Sequence, residues 1–161
     1  MSHPDPSAVK ADLDRLTAEF FRAVSFEAGE VPNYEWLHTL FIASGLLIKN
    51  TAATPEIASV EQFIEPRLAM VRAGQLTRFR EAELSATTHI FGNVAHRFSA
   101  YEKSGTLNGA AFDARGMIST QFISTPEGWR MSAMAWDDER DGLVIHDDCL
   151  SGLSDLPSTI R

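Results

Sequence analysis

The sequence contains one cysteine, Cys149, among 161 residues. A single cysteine excludes an internal disulfide and a zinc site built from cysteines. Long apolar runs are also missing, because none approaches the ~20 residues that a membrane-spanning helix needs. No basic segment followed by an apolar segment opens the chain, as it does in a secretory leader. These absences predict a cytoplasmic protein that does not enter a membrane.

Basic residues are scarce, with 14 Lys and Arg against 22 Asp and Glu and a net charge of −8. Binding to nucleic acids or anionic membranes needs clustered basic side chains, and the sequence shows no such cluster. Glycine patterns that bind nucleotide phosphates are absent, as is the Gly-x-Ser-x-Gly turn of the α/β-hydrolases. We therefore expect no nucleic-acid partner and no cofactor, and we expect small molecules or other protein chains instead.

Helical periodicity occupies the beginning of the chain. Apolar residues recur at steps of three and four from 7 to 24, which predicts an amphipathic helix capped by Asp5 or Ser7. Asn33 offers a cap for a short second helix that runs through Phe41. The apolar run LLIKN, which follows Gly45, predicts a first strand.

A third helix is predicted after Ser59. Ser59 and Gln62 have the spacing of a capping box, and apolar residues follow on one helical face. We expect this helix to end near Gly74. Pro66 lies inside it and removes one backbone hydrogen bond, which predicts a kink or an early break.

The hydrophobic period changes from about 3.6 to 2 after Gly74. Three β-rich segments follow, at 77–101 with an interruption near Gly92 and Asn93, at 111–124 and at 129–136. Helices followed by antiparallel strands predict an α+β fold. We expect a single domain over 1–161, with its core at about 7–140 and an acidic tail at 141–161.

The strand near residue 96 has one face that is mostly apolar and one face that is mixed. Val94, His96 and Phe98 share one face, and Arg97 and Tyr101 share the other. Neither face is freely polar, so we expect the helices to cover the face of His96 and a second copy of the chain to cover the opposite face. The residues predicted for this homodimer contact are Tyr101, Gln121, Met134 and Trp136.

His96 is the candidate catalytic residue. On an apolar inner face it would be the one titratable group, which is where pKa values shift and sites form. The alternative is a buried neutral histidine that bonds a backbone carbonyl or a glutamate. For Arg97 we expect a cross-strand ion pair with Glu81 or Glu83.

His38, near the end of the second helix, is a candidate partner for His96 in proton transfer; the alternative is a surface histidine. The predicted pocket-lining residues are Phe20, Tyr34, Trp36, His38, His96, Phe98 and Trp129. The segment HDDC at 146–149 contains metal-capable side chains, but adjacent residues do not easily converge on one ion. We therefore predict no metal site.

The segments FREAE, FGNVAHRFSAYE, ARGMISTQF and GWRMSAMAWDDER occur in this order. The ordered set resembles the bacterial SnoaL-like branch of the nuclear transport factor 2-like superfamily, over about 7–140. The matching positions are Ala95, His96, Ser99, Tyr101, Glu102, Arg115, Gly116, Ser119, Gly128, Trp129 and Arg130.

The resemblance implies a cone-shaped α+β fold, in which a strongly bent mixed or antiparallel sheet wraps around three N-terminal helices and leaves a pocket. It also implies a homodimer. The superfamily includes isomerases, dehydratases, cyclases and non-catalytic modules, so the fold alone selects no function.

Two hypotheses about function follow. In the first, the pocket binds a small apolar or carbonyl-containing molecule, and His96 moves a proton or assists the loss or addition of water. In the second, the protein is a non-catalytic dimeric interaction module with a vestigial pocket.

Overall fold

The computed structural model describes residues 4–150. Helix α1, Pro6–Val24, begins where the Asp5 side chain accepts a hydrogen bond from the Ser7 amide at 3.0 Å. Proline is tolerated in the first helical turn because the amide that it lacks would have no partner there. The apolar stripe predicted from the sequence is buried in the core.

A 3-10 turn, Tyr34–Trp36, leads into the short helix α2, Leu37–Leu40. The second helix therefore ends just before Phe41, close to its predicted end. Strand β1, Phe41–Lys49, starts earlier than the sequence suggested, and the short strand β2, Glu56–Ser59, was not predicted.

Helix α3, Val60–Arg72, has the predicted capping box. The Gln62 amide donates to the Ser59 hydroxyl at 3.1 Å, and the Ser59 amide donates to the Gln62 side chain at 2.9 Å. Pro66 lies inside the helix, which continues to Arg72, so of the expected kink or early break the break does not occur. The helix ends as predicted at Gly74, whose φ of +70° is a left-handed conformation that glycine adopts without strain.

Four long strands follow: β3, Leu76–Phe91; β4, Val94–Leu107; β5, Ala110–Thr125; and β6, Gly128–Asp138. The sheet order is β2-β1-β6-β5-β4-β3. Strands β1 and β6 pair in parallel and the other neighbours are antiparallel, so the sheet is mixed. The described chain ends in a short helix α4, Asp147–Leu150.

The segment EKSGTLNG at 102–109, which lies between two of the predicted β-rich segments, is mostly strand. Pairing with β3 on one side and β5 on the other extends β4 to Leu107, and the turn is confined to Asn108 and Gly109. Both turn residues have positive φ, as a two-residue hairpin turn requires.

Two irregularities in register bend the sheet around the helices. One lies between Glu83 and Ser85 in β3, and the other lies at Ser132 in β6, where the partner residues change from Met131 to Ala133. A bulge adds one residue to one strand, which increases the local twist and exchanges the two faces of everything beyond it. The result is the α+β fold that the periodicity predicted, with the cone shape that the family resemblance implied.

The predicted faces of β4 were inverted. Ala95, Arg97 and Tyr101 are buried on the inner face, whereas His96 and Phe98 are exposed on the outer face. The prediction assumed that the face with the arginine would avoid the helices. In the fold, ion pairs satisfy the Arg97 guanidinium, so the arginine lies on the inner face.

The predicted dimer contact was wrong for three of its four residues. Tyr101 is fully buried, Met134 is buried, and Trp136 lies on the same inner side as Met134. The bulge at Ser132 turns Met134 and Trp136 inward. Gln121 is exposed on the outer face.

No helix within 4–150 is both long and apolar enough to cross a membrane. Of the predicted acidic tail, the part from 151 onward lies outside the described residues.

Candidate functional site

A cavity of about 880 Å³ lies between helices α1 and α3 and the inner face of the sheet. This volume is in the range of small-molecule sites. Ile57 and Asp113 line it and are exposed, so the cavity opens to solvent beside β2 and β5. Its apolar wall includes Phe20, Val24, Leu47, Phe63, Ile118, Met134 and Trp136.

Polar side chains gather on the inner face of the strands. Register pairs Glu81 of β3 with Lys103 of β4, and it pairs Gly116 of β5 with both Tyr101 and Asp138. Because side chains of paired residues point to the same face, these groups converge at the cavity. The polar side chains lining the cavity include Tyr34, Arg67, Glu81, Lys103 and Asp138.

Asp138 holds this group together. It accepts hydrogen bonds from the Tyr101 hydroxyl and from Lys103 Nζ, the latter at 2.9 Å. Burial raises the pKa of Tyr101, and the hydrogen bond to Asp138 raises it further, so the phenol stays protonated and donates.

Gly116 makes this arrangement possible. It lies between Tyr101 and Asp138 in the register. A Cβ at position 116 would overlap the Tyr101 hydroxyl and the Asp137 carbonyl oxygen. Only the absence of a side chain allows the Tyr101 ring to cross β5 and reach Asp138 on β6.

Glu81 is the titratable group best placed for chemistry. Burial raises the pKa of its carboxyl from 4.5 to about 7, while the positive charges of Lys103 and Arg67 oppose the shift. A carboxyl with this pKa gives and takes a proton readily near neutral pH. Glu81 lines the cavity, where a bound molecule would meet it.

Two of the seven predicted pocket residues, Phe20 and Tyr34, line the cavity. Trp129 is buried in the core, and Trp36 is an exposed residue of the 3-10 turn. His38 is exposed and lies 3.1 Å from Glu61 Oε2, which matches the surface alternative.

His96 and Phe98 do not line the cavity. Both are exposed on the outer face of β4, and the His96 ring lies 4.9 Å from that of His89, its partner on β3. The inward orientation expected for His96 was wrong, and so was the alternative of a buried histidine.

The described residues contain no candidate metal site. Among residues 4–150, no three His, Cys, Asp or Glu side chains lie close enough together to hold an ion.

Solved structures share this architecture. A protein of the nuclear transport factor 2-like superfamily from Salmonella enterica superposes with a TM-score of 0.71 at 15% identity, over 87% of this chain and 97% of that one. The chain has the nuclear transport factor 2-like fold.

Two other structures with the nuclear transport factor 2-like fold bear more specific names. A candidate dehydratase from Streptomyces avermitilis has a TM-score of 0.66 at 10% identity, over 84% of this chain and 99% of that one. A candidate Ca/calmodulin-dependent kinase II association domain from Exiguobacterium sibiricum has a TM-score of 0.65 at 17% identity, over 84% and 97%. No protein-family model and no curated protein matches the sequence.

Glu81 and Lys103 were not predicted to line the pocket, although the alternation of residues along the strands pointed to them. Both have the parity of Tyr101, so a correct choice of the inner face would have placed all three in the cavity. Arg67 carries no comparable signal, because only the packing of α3 against the sheet brings it to the cavity.

Proposed function

We propose that the protein binds a small carbonyl-containing molecule in the cone cavity and moves a proton at that molecule, with Glu81 as the general acid and base. The observation that supports this most is a carboxyl with a pKa of about 7 on the wall of a large, partly apolar cavity. An acid or base with a pKa near the working pH transfers protons most effectively.

The neighbouring groups supply the remaining needs of such a reaction. Removing a proton beside a carbonyl places negative charge on its oxygen, and nearby cations or hydrogen-bond donors stabilise that charge. Lys103 and Arg67 are the cations that act electrostatically on Glu81. The same groups would serve the addition or loss of water next to a carbonyl.

The test is exchange of carbon-bound hydrogen in D₂O. Wild-type protein is incubated with a panel of small ketones and aldehydes, and deuterium uptake next to the carbonyl is followed by NMR. We expect exchange with at least one compound, and Glu81→Gln should slow it by about 100-fold or more. His96→Ala is the matched control and should change the rate less than twofold.

Equal rates in the wild type and Glu81→Gln would contradict the proposed role of Glu81. The binding part has its own readout, which is a thermal-shift screen of the wild type against a metabolite library. A folded protein that no compound stabilises would overturn the proposed ligand site.

A second candidate function is self-association through the outer face of the sheet. Val94 and Phe98 are large apolar residues about half exposed on this face, beside Gln121. Exposed apolar patches of this kind mark protein contacts. One structural neighbour is described as an association domain, which supports pairing of two copies. This candidate retains the predicted homodimer but moves its contact to the opposite face.

A further inference from the structure

Arg67 is a partly buried cation that forms no ion pair within residues 4–150. Its Nη1 donates to the Phe63 carbonyl at 3.0 Å, and its guanidinium carbon lies 3.6 Å from the centre of the Phe63 ring. In the part of the chain that the structure describes, no carboxylate lies within ion-pairing distance of Arg67. A guanidinium carries five N–H donors, so most of them have no protein acceptor.

The Arg67 guanidinium is partly shielded from water. Burial lowers the pKa of Arg67, while the charges of Glu56 and Glu81 oppose that shift from a distance. The unpaired nitrogens of Arg67 are not fully buried, so water contacts them in the cavity, and the partial burial strengthens their attraction for an opposite charge. The free donors of Arg67 lie at the cavity, where a bound anion would accept hydrogen bonds from them.

Tyr34 also lines the cavity. Tyr34 is buried, and in residues 4–150 its hydroxyl has no hydrogen-bond partner. Burial raises its pKa to about 12, and the positive charge of Arg67 acts in the opposite direction. Tyr34 is therefore a second hydrogen-bond donor at the cavity at neutral pH.

Apart from Glu81, the other charged side chains near the cavity interior are paired, so Arg67 can accept one negative charge from a ligand. Lys103 and Asp138 form an ion pair and cancel. Glu83, two residues from Glu81, is paired with Arg97. Lys49, Glu56 and Asp113 line the opening, where solvent and salt screen them. When Glu81 is protonated, Arg67 remains as the uncompensated charge in the interior.

We propose that Arg67 and Tyr34 bind the carboxylate of a small organic acid, that the apolar body of this acid packs against Phe20, Phe63 and Trp136, and that Glu81 is protonated in the complex. The planar fork of a guanidinium matches a carboxylate in two parallel hydrogen bonds. The inference rests on the proposed function, because it names the class of molecule that the cavity accepts. With a carboxylate bound, Glu81 holds its proton and serves as the general acid.

Binding of the acid and ionisation of Glu81 compete in this arrangement. An ionised Glu81 would already offset the charge of Arg67 and would repel a second carboxylate. Binding near neutral pH therefore takes up a proton, and affinity falls as the pH rises from 6 to 8. The raised pKa values of Tyr34 and Tyr101 keep both phenols protonated over this range, so the pH dependence is assigned to Glu81.

The test uses matched pairs of acids and amides: benzoate, 2-naphthoate and 4-phenylbutyrate, each with its primary amide. Affinities are measured by isothermal titration calorimetry at pH 6 and pH 8, in two buffers with different ionisation enthalpies. We expect at least one acid to bind more tightly than its amide, more tightly at pH 6 than at pH 8, and with proton uptake.

Arg67→Met should weaken binding of the acid at least tenfold and change binding of the amide less than twofold. Arg67→Lys should be intermediate, and it keeps the test open if Arg67→Met does not fold. Arg72→Met, an exposed arginine of the same helix, is the matched control and should bind as the wild type does. Glu81→Gln should keep binding of the acid but lose its pH dependence.

The outcomes separate this inference from the proposed function. Amides that bind while their acids do not would overturn the role of Arg67 and leave the cavity site standing. Equal binding of an acid by the wild type and Arg67→Met would do the same. If neither acids nor amides bind and the metabolite screen is also empty, both proposals fail.

Discussion

Arg97 and Glu83 form a bidentate ion pair on the inner face of the sheet, with N–O distances of 3.0 Å and 2.6 Å. The same guanidinium donates to Asp14 of α1 at 2.6 Å and to Thr88 of β3 at 2.9 Å. Arg97 therefore connects β4 to β3 and to the first helix. The sequence had suggested either Glu81 or Glu83 as its partner, and the structure selects Glu83.

Glu83 and Glu81 differ in whether their carboxyl groups are ion-paired. Glu83 has its charge compensated by Arg97 and by the Ser99 hydroxyl at 2.7 Å. Glu81 forms no ion pair within residues 4–150, and its pKa is raised. Glu83 therefore stabilises the fold, whereas Glu81 is available for chemistry.

The substitution Arg97→Met should lower the free energy of unfolding by about 3 kcal/mol, because it leaves the carboxylate of Glu83 on the inner face without its partner. Arg80→Met is the matched control: Arg80 is exposed on β3, so its loss should cost less than about 0.5 kcal/mol. Urea denaturation of the three proteins measures both values. Equal losses in the two variants would show that the Arg97 network does not stabilise the fold.

The substitution Gly116→Ala should destabilise the protein by about 1–3 kcal/mol, because the added methyl group overlaps the Tyr101 hydroxyl and the Asp137 carbonyl. Ser119→Ala, an exposed position on the same strand, is the control and should be nearly neutral. Thermal denaturation compares them. An unchanged melting temperature in Gly116→Ala would contradict the crossing of Tyr101 over β5.

Glu81 should make stability depend on pH. Its carboxyl titrates near 4.5 in the unfolded chain and at about 7 in the folded protein, so the folded state binds the extra proton between these values. Stability from this group is complete below pH 4.5, declines as the pH rises towards 7, and is lost above it. A shift from 4.5 to about 7 corresponds to about 3 kcal/mol.

Glu81→Gln removes the titrating group while keeping its shape. Urea denaturation at pH 4.5, 6 and 8 should show a smaller decline for the variant than for the wild type. Parallel profiles would mean that the Glu81 carboxyl is not raised in the folded protein. Asp5, Asp14 and Asp137 have lowered pKa values, so their contributions change at lower pH and are shared by both proteins.

A charge introduced on the outer face of the sheet should prevent the proposed dimer from forming. Phe98→Asp introduces a carboxylate at the proposed contact and should give a monomer by light scattering, whereas the wild type should be a dimer at micromolar concentration. Val31→Asp, in the loop after α1 and 81% exposed, is the control and should leave the mass unchanged. A wild-type protein that is monomeric would refute self-association through this face.

The sequence was sufficient for the fold because its helix caps, its change of period and its turn residues are local signals. Ser59 and Gln62 predicted the start of α3, and Gly74 predicted its end. The site was less accessible. Both faces of β4 mix polar and apolar residues, so parity defined the two sets but could not say which was inside.

Long-range pairing decided what the local pattern left open. The choice of inner face followed from the contact of Arg97 with Asp14, which is 83 residues away in the chain. No glycine or proline adjoins Ser132 to mark the bulge in the sequence. Because of the bulge, Met134 and Trp136 lie at the cavity and not at the expected dimer contact. Because the Arg97 face of β4 is the inner one, His96 lies on the outer face and Glu81 of β3 lies at the cavity.

The most direct test of the central claim is an NMR titration of the Glu81 side-chain carboxyl carbon in ¹³C-labelled protein, with Glu81→Gln used to assign the signal. The account predicts a midpoint near pH 7, which makes Glu81 a competent proton carrier in the cavity. A midpoint near 4.5 would contradict it, because the carboxyl would then be permanently ionised at neutral pH.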